Sequence, residues 1–261
     1  MGKEGRYEYL HGGPRLSGMY CGSLFYGEDM TPTQLCRWYL FSSVQSLQTE
    51  AVSMISLAAE QAIAGSGVFR LVLAGGNTPR ALYERLRTLK TNWEAWHIYF
   101  GDERCLPAAD SERNSSMARD AWLDHVPVPQ KQVYAIPAEM GAKAAAAAYA
   151  VTLKQVGEFD LVLLGLGEDG HTASLFPGND LGQGVGSPVA LPVFDAPKAP
   201  AERVSLSAWR LSQAKQVLFL VTGESKREAV MNWRAGAHIP AHAITPRLGV
   251  DVLAESILLE G

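Results

Sequence analysis

Residues 159–178 read FDLVLLGLGEDGHTASLFPG. The opening six residues form an apolar run broken only by Asp160, of strand length, and glycines follow at once. A run that is apolar throughout, rather than alternating, marks a strand covered on both faces, as in a parallel sheet. The glycines and the histidine after it make a strand-end turn, the place where open α/β sheets hold their ligands.

The same grammar extends in both directions. Apolar β-rich runs occur at 69–73, 97–100 and 217–221, and helix-like segments at 81–90, 116–124, 142–156 and 226–234. Before them, Val44, Leu47, Ala51, Met54, Ile55 and Ala58 recur at helical spacing within 42–64, ahead of Gly65-Ser66-Gly67. The alanine tract 144–148 lies between Gly141 and Gly157 and suits an ordinary helix. Short apolar strands alternating with helices predict an α/β fold, with a mostly parallel sheet carrying helices on both faces. Residues 177–200, rich in proline and glycine, are expected to form one long loop. Residues 1–30 show no sustained period and are expected to be a loosely ordered extension; residues 31–261 are expected to form a single α/β domain.

Composition narrows the function classes. The chain has 261 residues, 47% of them hydrophobic, which suits one large domain with a substantial core. Lys+Arg is 23 and Asp+Glu is 27, so the net charge is 23 − 27 = −4. No global basic field recruits nucleic acid or an anionic membrane. Cys21, Cys36 and Cys105 are odd in number and lack CxxC spacing, which predicts a reducing compartment rather than a disulfide framework. No apolar run approaches the roughly 18 residues of a membrane span, and no hydrophobic signal region opens the chain. A cytoplasmic protein, monomeric or weakly homo-oligomeric, is expected.

Four strand ends carry chemistry. After 69–73 come Gly75, Gly76, Asn77, Thr78 and Pro79. The glycines admit a ligand close to the backbone, and Thr78 and Pro79 suit the start of a helix whose N–H groups face an anion. A plain turn is the competing reading, and the segment is no Walker loop. After 97–100 come Gly101, Asp102, Glu103 and Arg104, an arginine able to fork onto a phosphate with carboxylates beside it to orient it. Arg104 also stands where it would depress the pKa of Cys105, although a lone cysteine is more often packing. After 159–164, Asp169 and His171 sit two apart in the glycine turn. Imidazole suits a general base near neutral pH, and a neighbouring carboxylate can fix its tautomer. The same turn matches GxGxxG formally, but Pro177 leaves little room for the helix, and no acidic residue follows about 20 positions on. After 217–221, Lys226 opens a helix, and Arg203 heads a short strand after the long loop. His238 and His242 are four apart, but Pro240 interrupts any helix that would align them, so no metal site is expected. One base, one acid, three cations and a helix start fit a small phosphorylated substrate undergoing hydrolysis or proton transfer.

The stretches LVLAGGNTPRALYERL, IYFGDERCLPAADSERNSS, FDLVLLGLGEDGHTASLFPG, APAERVSLSAWRLSQAKQVLFLVTGESKREAV and IPAHAITPRLGVDVL resemble, in order and spacing, the 6-phosphogluconolactonases. The resemblance runs from about residue 38 to 255 and implies a Rossmann-like fold similar to that of glucosamine-6-phosphate isomerase. It also implies hydrolysis of 6-phospho-D-glucono-1,5-lactone to 6-phospho-D-gluconate in the pentose phosphate pathway, with no metal or organic cofactor. Residue by residue, it assigns His171 as base and Asp169 as the acid beside it. Gly75, Gly76, Asn77 and Thr78 become the substrate turn, and Arg104, Arg203 and Lys226 the cations around the phosphate. Asn77 stands where serine is common, and Ser205-Leu206-Ser207 where threonine is. Two rivals share the fold. A glucosamine-6-phosphate deaminase would read close to Ile-Ala-Phe-Asn-Glu-Pro after the histidine, whereas this chain has Thr-Ala-Ser-Leu-Phe-Pro. A sugar-phosphate sensor would need a DNA-binding module, for which residues 1–30 are too short and too rich in glycine.

Overall fold

The apolar runs lie side by side in a computed structural model that describes residues 15–20 and 34–260. In chain order the elements are β1 (Arg15–Tyr20), β2 (Leu35–Phe41), α1 (Val44–Ser66), β3 (Phe69–Leu73), α2 (Asn77–Leu86), β4 (Trp96–Phe100), β5 (Asp102–Arg104), α3 (Asn114–Ala121), β6 (Val133–Tyr134), α4 (Ala142–Leu153), β7 (Phe159–Gly165), β8 (Ala190–Val193), β9 (Arg203–Leu206), α5 (Ala208–Ser212), β10 (Ala214–Val221), α6 (Arg227–Arg234) and β11 (Val250–Glu255). The main sheet runs β1-β2-β11-β10-β7-β3-β4-β6, parallel throughout except for β1, which pairs antiparallel with β2 at the edge. Residues 159–164 of β7 are all buried, so both faces of this central strand are covered, as the unbroken apolar run predicts.

Helix α1 starts where Ser43 accepts the N–H of Ser46 (3.2 Å) and ends at Gly67, whose φ of 76° closes the helix in the left-handed region. Its stripe of Leu47, Ala51, Met54, Ile55, Ala59 and Ala62 is buried, and it packs across β2, β11, β7 and β3. Tyr83 of α2 and Tyr149 of α4 reach into the sheet. The Tyr83 hydroxyl bonds both the N–H and the carbonyl of Ala74, and the Tyr149 hydroxyl bonds those of Phe100. These four bonds pin the strand-end turns after β3 and β4, where the site forms.

Two expectations need amendment. The long loop at 177–200 contains β8, which pairs antiparallel with β9 in a second sheet of order β5-β9-β8. Pro192 obscures that strand in the sequence, but β8 is an edge, where a missing N–H donor is tolerated. Within the extension expected to be loosely ordered, Arg15–Tyr20 forms the edge strand β1; its other residues lie outside those described, as does Cys21. No described helix is long and apolar enough to cross a membrane.

Candidate active site

The chain reverses its direction of travel across the sheet between β3 and β7. From β3 it proceeds outward to β4 and β6; from β7 it proceeds the other way, to β10 and β11. Adjacent parallel strands whose connections diverge leave a crevice at their carboxyl ends. A cleft of about 190 Å³ lies there, lined from the β3 side by Leu73 to Gly76 and from the β7 side by Leu164 to Gly167 and His171 to Ala173. Gly101, Asp102, Arg104, Asn114 and Arg203 complete it.

His171 is fixed at one atom and open at the other. Its Nδ1 lies 2.5 Å from Asp169 Oδ1, and the same oxygen accepts the His171 backbone N–H at 3.1 Å. Burial pushes the Asp169 carboxyl upward, but the backbone N–H, charge and ring of His171 outweigh it and hold the group below the usual carboxylate range. An ionised Asp169 has no proton to donate, so Nδ1 carries the hydrogen, and in the neutral form of the ring it is Nε2 that presents the lone pair. Nε2 makes no hydrogen bond among the described residues, and the side chain is 26% exposed.

The glycines of this turn have separate tasks. A Cβ on Gly167 would collide with the imidazole itself. Gly170 has φ of 82°, and a Cβ there would meet Ile239. The turn is closed by Gly167 N–H to the His171 carbonyl (2.7 Å) and Gly170 N–H to the Gly167 carbonyl (3.1 Å). Beyond it, the Phe176 ring sits 4.8 Å from the imidazole and 5.6 Å from the Arg203 guanidinium, contacting both.

Of the expected cations, Arg104 and Arg203 line the cleft. Arg203 is 8% exposed and donates from Nε to the Pro200 carbonyl (3.1 Å) and from Nη2 to that of Lys198 (2.8 Å). Burial lowers its pKa, Asp102 counters this, and neighbouring Arg104 adds to the lowering. Arg104 donates to the Glu112 carbonyl (3.0 Å). Lys226 does not line the cleft; its Nζ is 3.8 Å from Glu168 Oε1, a residue of the histidine turn. Gly75 and Gly76 line it, whereas Asn77 and Thr78 lie at the start of α2 behind them, the Thr78 hydroxyl 2.6 Å from that of Thr222.

The carboxylates beside Arg104 do not orient its side chain. Glu103 is fully buried and caps α3, accepting the backbone N–H groups of Asn114 (2.7 Å) and Ser115 (2.9 Å) as well as that of Arg104 (2.9 Å). Asp102 accepts from the Ser174 hydroxyl (2.6 Å) and the Asn114 amide (3.0 Å), and burial raises its pKa. The Cys105 thiol is likewise pushed up, to about 11, by burial and by Glu202, against the depression expected from Arg104. Sequence reasoning missed Asn114, whose amide fills the space where a Gly75 side chain would stand. Gly75 is therefore what packing this glycine turn directly on α3 requires.

The arrangement offers a proton acceptor facing solvent, two guanidinium groups and a glycine turn around one cleft. Known proteins with this sequence pattern and fold bear on its use. The profile described as "Glucosamine-6-phosphate isomerases/6-phosphogluconolactonase" matches residues 42–253. The chain is 35% identical over 200 residues to a 6-phosphogluconolactonase of Synechocystis, covering 71% of this chain and 80% of that one. It is 33% identical over 219 residues to a 6-phosphogluconolactonase of Mycobacterium leprae, covering 77% and 88%. The solved 6-phosphogluconolactonase of Trypanosoma brucei superposes with a TM-score of 0.76 at 28% identity, over 85% of this chain and 96% of that one. A monomeric glucosamine-6-phosphate deaminase shares the fold at 19% identity and a TM-score of 0.75, over 85% of this chain and 98% of that one. With the match running from residue 42 to 253 and taking in every loop of the cleft, the chain belongs to the glucosamine-6-phosphate isomerase/6-phosphogluconolactonase family.

Proposed function

We propose that the chain hydrolyses 6-phospho-D-glucono-1,5-lactone to 6-phospho-D-gluconate, the lactone-opening step of the pentose phosphate pathway, with His171 as general base. The observation that carries this reading is the Nδ1–Asp169 bond of 2.5 Å, which directs the basic Nε2 of His171 toward a cleft shared with Arg104, Arg203 and the Gly75–Gly76 turn. The relatives named 6-phosphogluconolactonase support the substrate.

The phosphate dianion is held by Arg104 and Arg203, with Lys226 joining when it leaves Glu168, and by N–H groups at the start of α2 near Asn77 and Thr78. Held at that end, the lactone presents C1 to His171. Nε2 takes a proton from water as the water oxygen attacks C1, and the carbonyl oxygen becomes a tetrahedral oxyanion. Backbone N–H groups of Gly75, Gly76 and Asn77 stabilise that charge. Collapse reforms the carbonyl, breaks the C1–ring oxygen bond and returns the proton from Nε2 to the ring oxygen. Asp169 stays ionised throughout and stabilises the transient imidazolium. Water activation falls to the imidazole, so this scheme calls on no metal or organic cofactor. Residues 31–261 act as one catalytic domain, in the cytoplasm, as a monomer or weak homo-oligomer.

The test is a coupled assay on freshly generated lactone, corrected for spontaneous hydrolysis. His171→Ala is expected to lower kcat by roughly 10²–10⁴-fold. A wild-type rate in that variant removes His171 from the role. Release of ammonia from glucosamine 6-phosphate by the wild-type protein would replace the lactonase reading with the deaminase one.

A further inference from the structure

One buried polar side chain has no part in this scheme. Gln34 is 1% exposed and stands just before β2, ahead of residue 42, where the family match begins. Its Nε2 donates to the carbonyls of Ala241 (2.9 Å) and Ile244 (2.5 Å). Its Oε1 accepts from Trp233 Nε1 (2.7 Å) and from the Cys36 thiol (3.2 Å). Every donor and acceptor position of the amide is thus engaged, and two of its four bonds grip the 240–244 segment.

That segment in turn grips the histidine turn. The Ala241 N–H donates to the Gly170 carbonyl at 3.1 Å, the carbonyl of the peptide leading into His171. Ile239 occupies the space where a side chain on Gly170 would stand. Gly170 is therefore held from outside by one hydrogen bond and one apolar wedge, both borne by a segment that Gln34 fixes. We propose that Gln34 is a positioning residue for His171, acting over a separation of 207 residues to Ala241 and through the Ala241–Gly170 bond. The proposal rests on the reading of His171 as general base.

Removing the amide leaves the Ile244 carbonyl and the Trp233 indole N–H unmet in the interior and the Ala241 carbonyl with only the 3.4 Å bond from the Ile244 N–H, a state that movement of the 240–244 segment relieves. Movement there passes to Gly170 and rotates or shifts the imidazole beside it. Proton abstraction depends on placement at the ångström scale, so the catalytic step is affected. Phosphate holding is not, because Arg104 and Arg203 come from other elements, the strands β5 and β9.

The experiment compares Gln34→Met, close in size but without donors, with the wild-type chain under conditions where circular dichroism shows both folded. Two readouts are taken: kcat and KM for the lactone, and the Nδ1 proton resonance of His171 by NMR. Expected are a kcat lower by about 10-fold, a KM within about twofold, and a displaced Nδ1 resonance. Arg37→Met is the control. It removes the 2.6 Å Arg37–Asp251 pair from the neighbouring strand positions, and both readouts should stay at wild-type values. A Gln34→Met enzyme with wild-type kcat and an unmoved resonance overturns the proposal. So does loss of both readouts in Arg37→Met to the same degree, which would mark a general effect of stability. Should Gln34→Met not fold, Ile239→Ala trims the wedge on Gly170 with Gln34 intact; the same drop in kcat supports the coupling, and wild-type kcat with an unmoved resonance overturns it. Should the wild-type protein lack lactonase activity, the functional reading fails, while the resonance still decides whether Gln34 sets the imidazole.

Discussion

Gly167→Ala perturbs the proposed base without touching its chemistry. A Cβ built on Gly167 falls inside van der Waals contact with Nδ1, Cε1 and Cγ of His171. Gly167 lacks the positive φ of Gly170, so its backbone accepts alanine and the conflict falls on the ring. Restoring a separation of about 3.5 Å moves the imidazole by roughly 1 Å or more. The Nδ1–Asp169 bond starts at 2.5 Å, and a shift of roughly 1 Å takes it past the normal limit of about 3.2 Å. The ring then loses both its tautomer lock and its aim at the cleft. Misplacement on this scale costs on the order of 10²-fold in rate, or about 2.7 kcal/mol of activation free energy. In the lactone assay, kcat should fall by about that factor, with KM within about threefold because the arginines are untouched. A Gly167→Ala enzyme with kcat within about threefold of wild type would refute the argument, since the geometry leaves no room for both the methyl group and the observed ring position.

Three further outcomes follow from other contacts. Replacing Arg104 or Arg203 with methionine should raise KM by roughly 10–100-fold with a smaller change in kcat, each charge-assisted phosphate contact contributing about 1.5–3 kcal/mol; a normal KM in both variants removes them from the phosphate site. Asp102 has a pKa raised chiefly by burial, so the folded state binds the extra proton and stability declines as pH rises from the ordinary carboxylate value through the raised one. Asp102→Asn should flatten that decline and be the more stable protein at neutral pH, and parallel urea-midpoint profiles against pH for the two proteins would contradict this. Glu139 is held below its ordinary value by its hydrogen bond to Arg113 (2.7 Å), so its contribution is present above the ordinary glutamate pKa and lost as pH falls through the lowered one. With the carboxylate 42% exposed, Glu139→Gln should cost at most about 1 kcal/mol after screening, in neutral but not strongly acid solution, read from the same urea titrations.

The strands that could be read from sequence are those whose apolar runs are complete within one segment, β3, β4, β7 and the second half of β10, together with the short β9 headed by Arg203. β2 and β11 escaped notice because each carries a charge, Arg37 in LCRWYLF and Asp251 in VDVLAE. Those charges are register partners across adjacent strands and bond each other at 2.6 Å. Each charge is met by the other, 214 residues away, with Gln216 also donating to Asp251, and neither segment alone carries that information. Asp160 poses the same problem inside β7, and Lys215 of β10 answers it at 2.7 Å. An unbroken apolar neighbourhood kept β7 legible despite the charge.

The site divides along the same line. Asp169 and His171 declare themselves because their relation is local, two positions apart in a turn that sequence alone can draw. Asn114, Asp102 and Gln34 are ordinary polar residues until the fold brings each to its partner. Ser174 bonds Asp102 from 72 residues away, and Ala241 bonds Gln34 from 207. A buried polar group is costly unless satisfied, so each such residue must have its partner supplied by topology. The groups proposed to react sit on a turn short enough to read, whereas the groups that hold that turn in place are distributed over the chain. The consequence for this family member is specific: its proposed base can be found from twenty residues, but the rigidity on which that base would depend is a property of the whole sheet.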